Sequence, residues 1–271
     1  MVRWDVDSGA VSVRKRARNR ASGGCSSSSA YPPLLGLRPG QNLGGRYTVD
    51  RFLGAGWEGE VYKVIESVTK RPRAAKFYVS RGERSQRQVQ AALQAHARKL
   101  EKLRGCSMVL QYHHVEEIDV ESQRVPAMIG EYSPGLPLDV WLPSRRGGKL
   151  PLYEAFTLLH GLSHGLAAIH GCGEYHGDLH AGNVLIRRRG VLFDLKILDF
   201  FNQGRAARRH FQQDVQDIIH IFYDCLGGRA EYAKLPAEAK YVCRGMQGRL
   251  IRERFPSAAA LCKHLESFSW N

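Results

Sequence analysis

The spacing of apolar residues changes once along this chain, and that change limits the possible folds more than any other feature. Between Tyr47 and Glu131 they come in short runs separated by glycine-rich turns, the pattern of strands. Strands are expected over 47–53, 60–66, 73–79, 109–112, 114–119 and 127–131. Only residues 83–104 break the series, because Leu93, Ala97, Leu100 and Leu103 recur at helical spacing. Beyond Pro151 the spacing is helical: Ala155, Leu158, Leu159, Leu162 and Leu166 share one side of a helix over 151–170. Further helices are expected over 214–226, 235–246 and 257–268, after two short strands at 184–187 and 195–198. A β-rich lobe followed by a helical lobe is an α+β arrangement with a cleft between the two.

The first 44 residues show no such spacing. A basic block from Arg14 to Arg20, four serines at Ser26 to Ser29 and the pair Pro32-Pro33 have the composition of a disordered leader. Order is therefore expected from about Arg46. The domain would span 45–271, with an N-lobe over about 45–130 and a C-lobe over about 135–271.

The formal net charge of +14 favours phosphate-rich ligands. No nucleic-acid-binding motif accompanies the charge, so nucleic acid is not an expected partner. None of the six cysteines forms a Cys-x-x-Cys pair; the spacing suggests neither zinc nor a disulfide framework. Free thiols point to a reducing cytoplasm. No run approaches the roughly 18 apolar residues of a membrane helix, and residues 1–10 do not make a secretory signal.

Four motifs carry chemistry. Gly54-Ala55-Gly56-Trp57-Glu58-Gly59-Glu60-Val61 fits G-x-G-x-x-G-x-V; its glycines let a hairpin backbone approach phosphate oxygens. A strand follows it instead of a helix, so it is not a dinucleotide fingerprint. Next comes Ala74-Ala75-Lys76-Phe77, where a lysine inside an apolar strand needs an anion to offset desolvation. The third, His176-Gly177-Asp178-Leu179-His180-Ala181-Gly182-Asn183, leads into the strand Val184-Leu185-Ile186. Its carboxylate can accept a hydroxyl proton, and its amide oxygen can hold magnesium. In the fourth, Lys196-Ile197-Leu198-Asp199-Phe200-Phe201, an acid closes a buried strand. Only the third is strong alone; the order and spacing of all four are strong together.

In that order the motifs resemble the protein kinase superfamily, over about Arg46 to Leu265. The resemblance implies a two-lobed protein-kinase-like fold that uses ATP and Mg2+. It implies Gly54, Ala55, Gly56, Gly59, Val61 and Ala74 around the nucleotide, with Lys76 on the phosphates and Glu131 and Tyr132 at the adenine hinge. Asp178 would be the catalytic base, Asn183 and Asp199 the magnesium ligands, and His180 a contact to the γ-phosphate or acceptor. Asp214 would steady the catalytic loop and His176 anchor it. Arg254-Phe255-Pro256-Ser257-Ala258 resembles the ending of bacterial Ser/Thr kinases. A protein hydroxyl is then the expected acceptor.

Departures from the family pattern keep two other readings open. His-Gly-Asp-x-His is similar to aminoglycoside and choline phosphotransferases. Only fourteen residues, Phe200 to Gln213, separate Asp199 from Asp214, with no Ala-Pro-Glu. Both features favour a small-molecule acceptor. Phe201 replaces a glycine, and the helix glutamate that should pair with Lys76 is not obvious; both favour a nucleotide-binding pseudokinase. Glu101 is the expected partner, with Glu83 the other choice. Gly177 replaces the arginine that senses a phosphorylated segment, so control by such phosphorylation is not expected. Gly130 stands where a gatekeeper side chain is usual, which predicts an enlarged pocket unless Met128 fills it.

Overall fold

The computed structural model describes residues 33–268, apart from Trp57, residues 80–84, Ser122, Val191 and residues 202–203. The N-lobe sheet contains β1 (Asn42–Leu43), β2 (Tyr47–Ala55), β3 (Gly59–Glu66), β4 (Pro72–Tyr78), β5 (Tyr112–Val120) and β6 (Gln123–Glu131). Their order is β1-β2-β3-β4-β6-β5, and every pair is antiparallel. Alternation decides the two faces. Tyr47, Val49, Tyr62, Val64, Phe77 and Ile118 form a core on one face, each such side chain contributing about 1.5–3 kcal/mol by burial. The other face carries Lys76, which stands opposite Val61 on β3 and Met128 on β6.

Helix α1 (Gln86–Lys102) closes that second face. Ser85 starts it with a capping box, its hydroxyl accepting from Gln88 N–H while the Gln88 side chain accepts from Ser85 N–H. Leu93 then packs with Tyr78 and Met128, and Val89, Ala97 and Leu100 border the cluster.

The C-lobe holds α2 (Leu138–Trp141), α3 (Leu152–Gly171), α4 (Arg208–Cys225), α5 (Gly228–Glu231), α6 (Ala237–Cys243), α7 (Gly248–Arg254) and α8 (Ala258–Glu266). A small antiparallel sheet, β7 (Leu136–Pro137), β8 (Val184–Arg189) and β9 (Leu192–Ile197), lies in the order β7-β8-β9. Leu158, Leu159, Leu162 and Leu166 of α3 meet Val215, Ile218, Ile219 and Phe222 of α4 in the larger core. Ser257 caps α8 by accepting from Ala260 N–H, and Phe255 before it is buried.

Three expectations need correction. Ordered chain begins upstream of Arg46: Leu37 and Leu43 are buried, β1 pairs with β2, and Leu34 and Leu35 N–H donate to the buried carboxylate of Glu60. The leader boundary at residue 44 therefore moves to Pro33 or earlier, and residues 1–32 lie outside the described residues. No strand spans 109–112; Val109 makes a single parallel bridge to Ile197, and β5 starts at Tyr112. Helix α4 begins at Arg208, not 214. Its first turn looks polar in sequence, but His210 is buried, stacks on Tyr175 with ring centroids 4.2 Å apart, and accepts from Ala207 N–H.

Candidate active site

The glycine-rich motif forms the end of β2 and the start of β3. Gly56 N–H donates to Gly59 O at 2.9 Å, closing the turn. A Cβ on Gly59 would lie 1.9 Å from the Phe77 carbonyl oxygen, so only glycine lets β3 pass β4 this closely. Gly54 and Ala55 pair with Val61 and Glu60 across the hairpin. Ala74 faces Gly130 in the next ladder.

Lys76 reaches two carboxylates. Its Nζ lies 2.9 Å from Glu58 Oε2 and 3.0 Å from Asp199 Oδ1. Burial alone would favour the neutral amine, but Asp199 and Glu58 overcome it and hold the ammonium well above its usual range. In return, Lys76 holds the Asp199 carboxyl below the usual range. The contact ties β4 of the N-lobe to the turn after β9 of the C-lobe. Asp199 sits at φ +52°, a left-handed conformation that costs a non-glycine residue roughly 1 kcal/mol or more.

The partner of Lys76 is therefore in the glycine-rich loop and not on α1. Glu101 is exposed and pairs with Arg104 at 2.7 Å; Glu83 lies outside the described residues. On α1, His96 occupies the region instead, its Nδ1 2.8 Å from Tyr78 Oη. Burial, reinforced by Lys76, pushes the His96 imidazole down to about 4, so it is neutral near pH 7. Lys99, one turn further, is buried and donates to Tyr175 O at 2.8 Å and Phe201 O at 3.0 Å. Neither residue stands out in the sequence, because each reads as part of a solvated helix face.

At the hinge, the Glu131 carboxylate accepts from Lys196 Nζ at 3.0 Å and from Gln111 N–H at 3.1 Å. Tyr132 Oη accepts from Arg51 at 2.9 Å, and Lys63 Nζ lies 5.0 Å from its ring centroid. Both side chains are thus committed to protein partners. Gly130 is glycine for a packing reason: a Cβ there would be 2.9 Å from Gln111 O. Met128 fills the space beneath α1 with Tyr78 and Leu93.

The motif from His176 to Asn183 is suspended from Asp214. This buried carboxylate accepts from His176 N–H at 2.8 Å, Gly177 N–H at 2.9 Å and His170 Nε2 at 3.0 Å. His176, also buried, accepts from Asp178 N–H at Nδ1 and donates from Nε2 to Leu198 O at 2.6 Å. Burial lowers its pKa, which keeps this neutral tautomer. Gly177 has φ +88°, and a Cβ there would meet the Tyr175 ring at 2.9 Å, so any side chain there is strained. Phe200 packs on the His176 ring, and Phe201 N–H donates to His176 O.

Asp178 itself is exposed at the rim. Asn183 Nδ2 donates to Asp178 O at 3.0 Å. His180 accepts from Gly182 N–H at Nδ1, which leaves Nε2 as the outward donor. Beside them lies a cleft of about 410 Å³, lined by Asp178, His180, Gln213, Asp217, His220 and Asp224 among others. Burial and the neighbouring charges of Asp214 and Asp178 push Asp217 up to about 7.

Asn183 turns its amide nitrogen inward and keeps its oxygen for other use. Asp199 commits Oδ1 to Lys76, and its side chain is 54% exposed. A carboxylate and an amide oxygen suit a hard cation such as magnesium.

The protein kinase domain model matches residues 47–218, so the chain belongs to the protein kinase domain family. It is 29% identical over 159 residues to the serine/threonine-protein kinase PksC of Streptomyces coelicolor, covering 58% of this chain and 28% of that protein. It is 28% identical over 163 residues to the serine/threonine-protein kinase PknA of Mycobacterium tuberculosis, covering 60% and 36%. The chain thus spans about a third of the length of these relatives. The crystal structure of the M. tuberculosis PknI kinase domain superposes with a TM-score of 0.63 at 20% identity, covering 85% of this chain and 98% of that one. That likeness shows the fold.

Proposed function

We propose that this chain is an ATP- and magnesium-dependent phosphotransferase that moves the γ-phosphoryl group to a serine or threonine hydroxyl of a protein. The observation that carries this reading is the Lys76–Asp199 contact across the cleft, made by two motif residues on different lobes. The kinase names of its relatives support it.

Each residue then has a task. The backbone around Gly54, Ala55, Gly56 and Gly59 approaches the phosphates, with Val61 and Ala74 beside the base. Lys76 exchanges its Asp199 contact for the α- and β-phosphates while Glu58 keeps its ammonium in place. Asp178 takes the proton from the attacking hydroxyl as the new P–O bond forms. His180 offers Nε2–H to the transferred group or the acceptor. Magnesium, held by Asn183 and Asp199, would neutralise charge on the phosphates. Asp214 and His176 hold Asp178 in place through the loop backbone. At the hinge, the backbone of Glu131 and Tyr132, more than their committed side chains, is what remains for adenine.

One observation favours a second acceptor class. A cleft of about 410 Å³ lies beside Asp178, and a cleft of this size suits a small hydroxyl compound. Incubation with γ-labelled ATP, generic protein substrates and small amino-alcohols decides between them. Label on Ser or Thr supports the protein acceptor; label confined to small molecules would replace it. ATP binding with no transfer to any acceptor would make the chain a pseudokinase.

No described helix is long and apolar enough to cross a membrane. The five described cysteines are free, which supports placing the reaction in the reducing cytoplasm.

A further inference from the structure

Away from the cleft, α3 and α8 lie side by side and bring together three side chains of unlike chemistry. His160 on α3 points its Nε2 at Glu266 Oε1 on α8, 3.1 Å away. Cys262 Sγ, one turn earlier on α8, is 3.3 Å from the same oxygen. The three ligand atoms all fall within 4.8 Å of one another. Cys262 and Glu266 share a helix face because they are four residues apart.

These separations match a metal polyhedron. Four ligands about 2.1 Å from a tetrahedral centre are about 3.4 Å from each other. Two of the three edges are already at 3.1 and 3.3 Å. An imidazole nitrogen, a thiol sulfur and a carboxylate oxygen form a borderline-soft set, the donor preference of zinc and not of magnesium. Access is suitable as well: the His160 and Glu266 side chains are 43% and 57% exposed, while Cys262 is buried beneath them.

We propose that His160, Cys262 and Glu266 form a zinc-class cation site, with water as fourth ligand, that clamps α8 onto α3. Binding converts the Cys262 thiol to thiolate and releases its proton to solvent, so affinity falls as pH falls. The cysteine spacing concealed this site because His160 and Glu266 are 106 residues apart and meet only through helix packing.

The test uses the full chain, reduced and stripped with chelator, titrated with Zn2+ and, in parallel, with Co2+. The site predicts one tight equivalent of zinc. It also predicts a thiolate-to-cobalt charge-transfer band and visible bands of tetrahedral strength. Cys262→Ser and Glu266→Gln should each weaken binding by at least about tenfold, whereas His113→Ala on the N-lobe should leave it unchanged. Zinc at a hundredfold excess over Kd should raise Tm on the order of 5 °C, an effect absent in Cys262→Ser. Glu266 is on the surface, so Glu266→Gln keeps the test decisive if the buried Cys262→Ser fails to fold. No zinc uptake at micromolar concentration, or equal uptake by wild type and Glu266→Gln, would overturn the site.

Discussion

Lys76 finds its carboxylate support away from the helix where it was expected. Its carboxylate partner is Glu58, at 2.9 Å, on the loop that would cover the phosphates. Glu58→Gln should therefore raise KM for ATP by roughly tenfold, about 1.4 kcal/mol, whereas Glu101→Gln should leave steady-state kinetics unchanged. The reverse pattern would return the pairing to α1. Asp199→Asn should weaken magnesium-dependent ATP binding; an unchanged magnesium titration would remove Asp199 as a ligand. The motif residues were legible because phosphate, metal and proton chemistry each admit few residue types, at short fixed spacing. Glu58, His96 and Lys99 were not. Lys76 meets Glu58 only because the hairpin folds back, and Lys99 meets Tyr175 and Phe201 only because α1 docks on the C-lobe.

At the scale of elements, α1 is the joint. In most helices a lysine in the last turn favours the dipole and faces water. Here Lys99 is buried and its two carbonyl partners flank the Asp178 loop and the Asp199 turn. Lys99→Met keeps the apolar stem and removes both charge-assisted hydrogen bonds, at a cost of about 1–3 kcal/mol. Thermal unfolding should show a lower Tm; an unchanged Tm would mean that the tether carries no stability. The stretch 200–213 holds no Ser, Thr or Tyr, and the positive φ of Gly177 strains any side chain there. The sequence placed the existence of α3, α4 and α8 well, because their apolar faces are continuous. It missed α7, where only Ile251 is buried in an otherwise charged turn. It also placed the start of α4 late, because a buried histidine reads as polar.

Over the whole molecule, Lys76–Asp199 and Lys196–Glu131 are polar contacts between the lobes, beside the apolar packing of Leu103, Cys106 and Val109 into the larger core. Stability should depend on pH through the buried histidines. His96 is lowered from 6.5 to about 4, and His176 is lowered as well. Above about pH 6.5 these imidazoles are neutral in both states and the native state is fully stable. As pH falls through 6.5 toward 4, the unfolded chain takes up protons that the native chain does not, so stability declines. Denaturant unfolding at pH 7 and pH 5 should show this loss, and His96→Gln should reduce it; an equal loss in the variant would exclude His96 as its source.

On the proposed reading, Asp178 takes the acceptor's proton during phosphoryl transfer. The most direct measurement compares single-turnover transfer of labelled γ-phosphate by wild type and Asp178→Asn, with ATP affinity measured on both. The variant should lose roughly 10²–10⁴-fold in rate with ATP affinity nearly unchanged. Transfer by Asp178→Asn at the wild-type rate would contradict that reading.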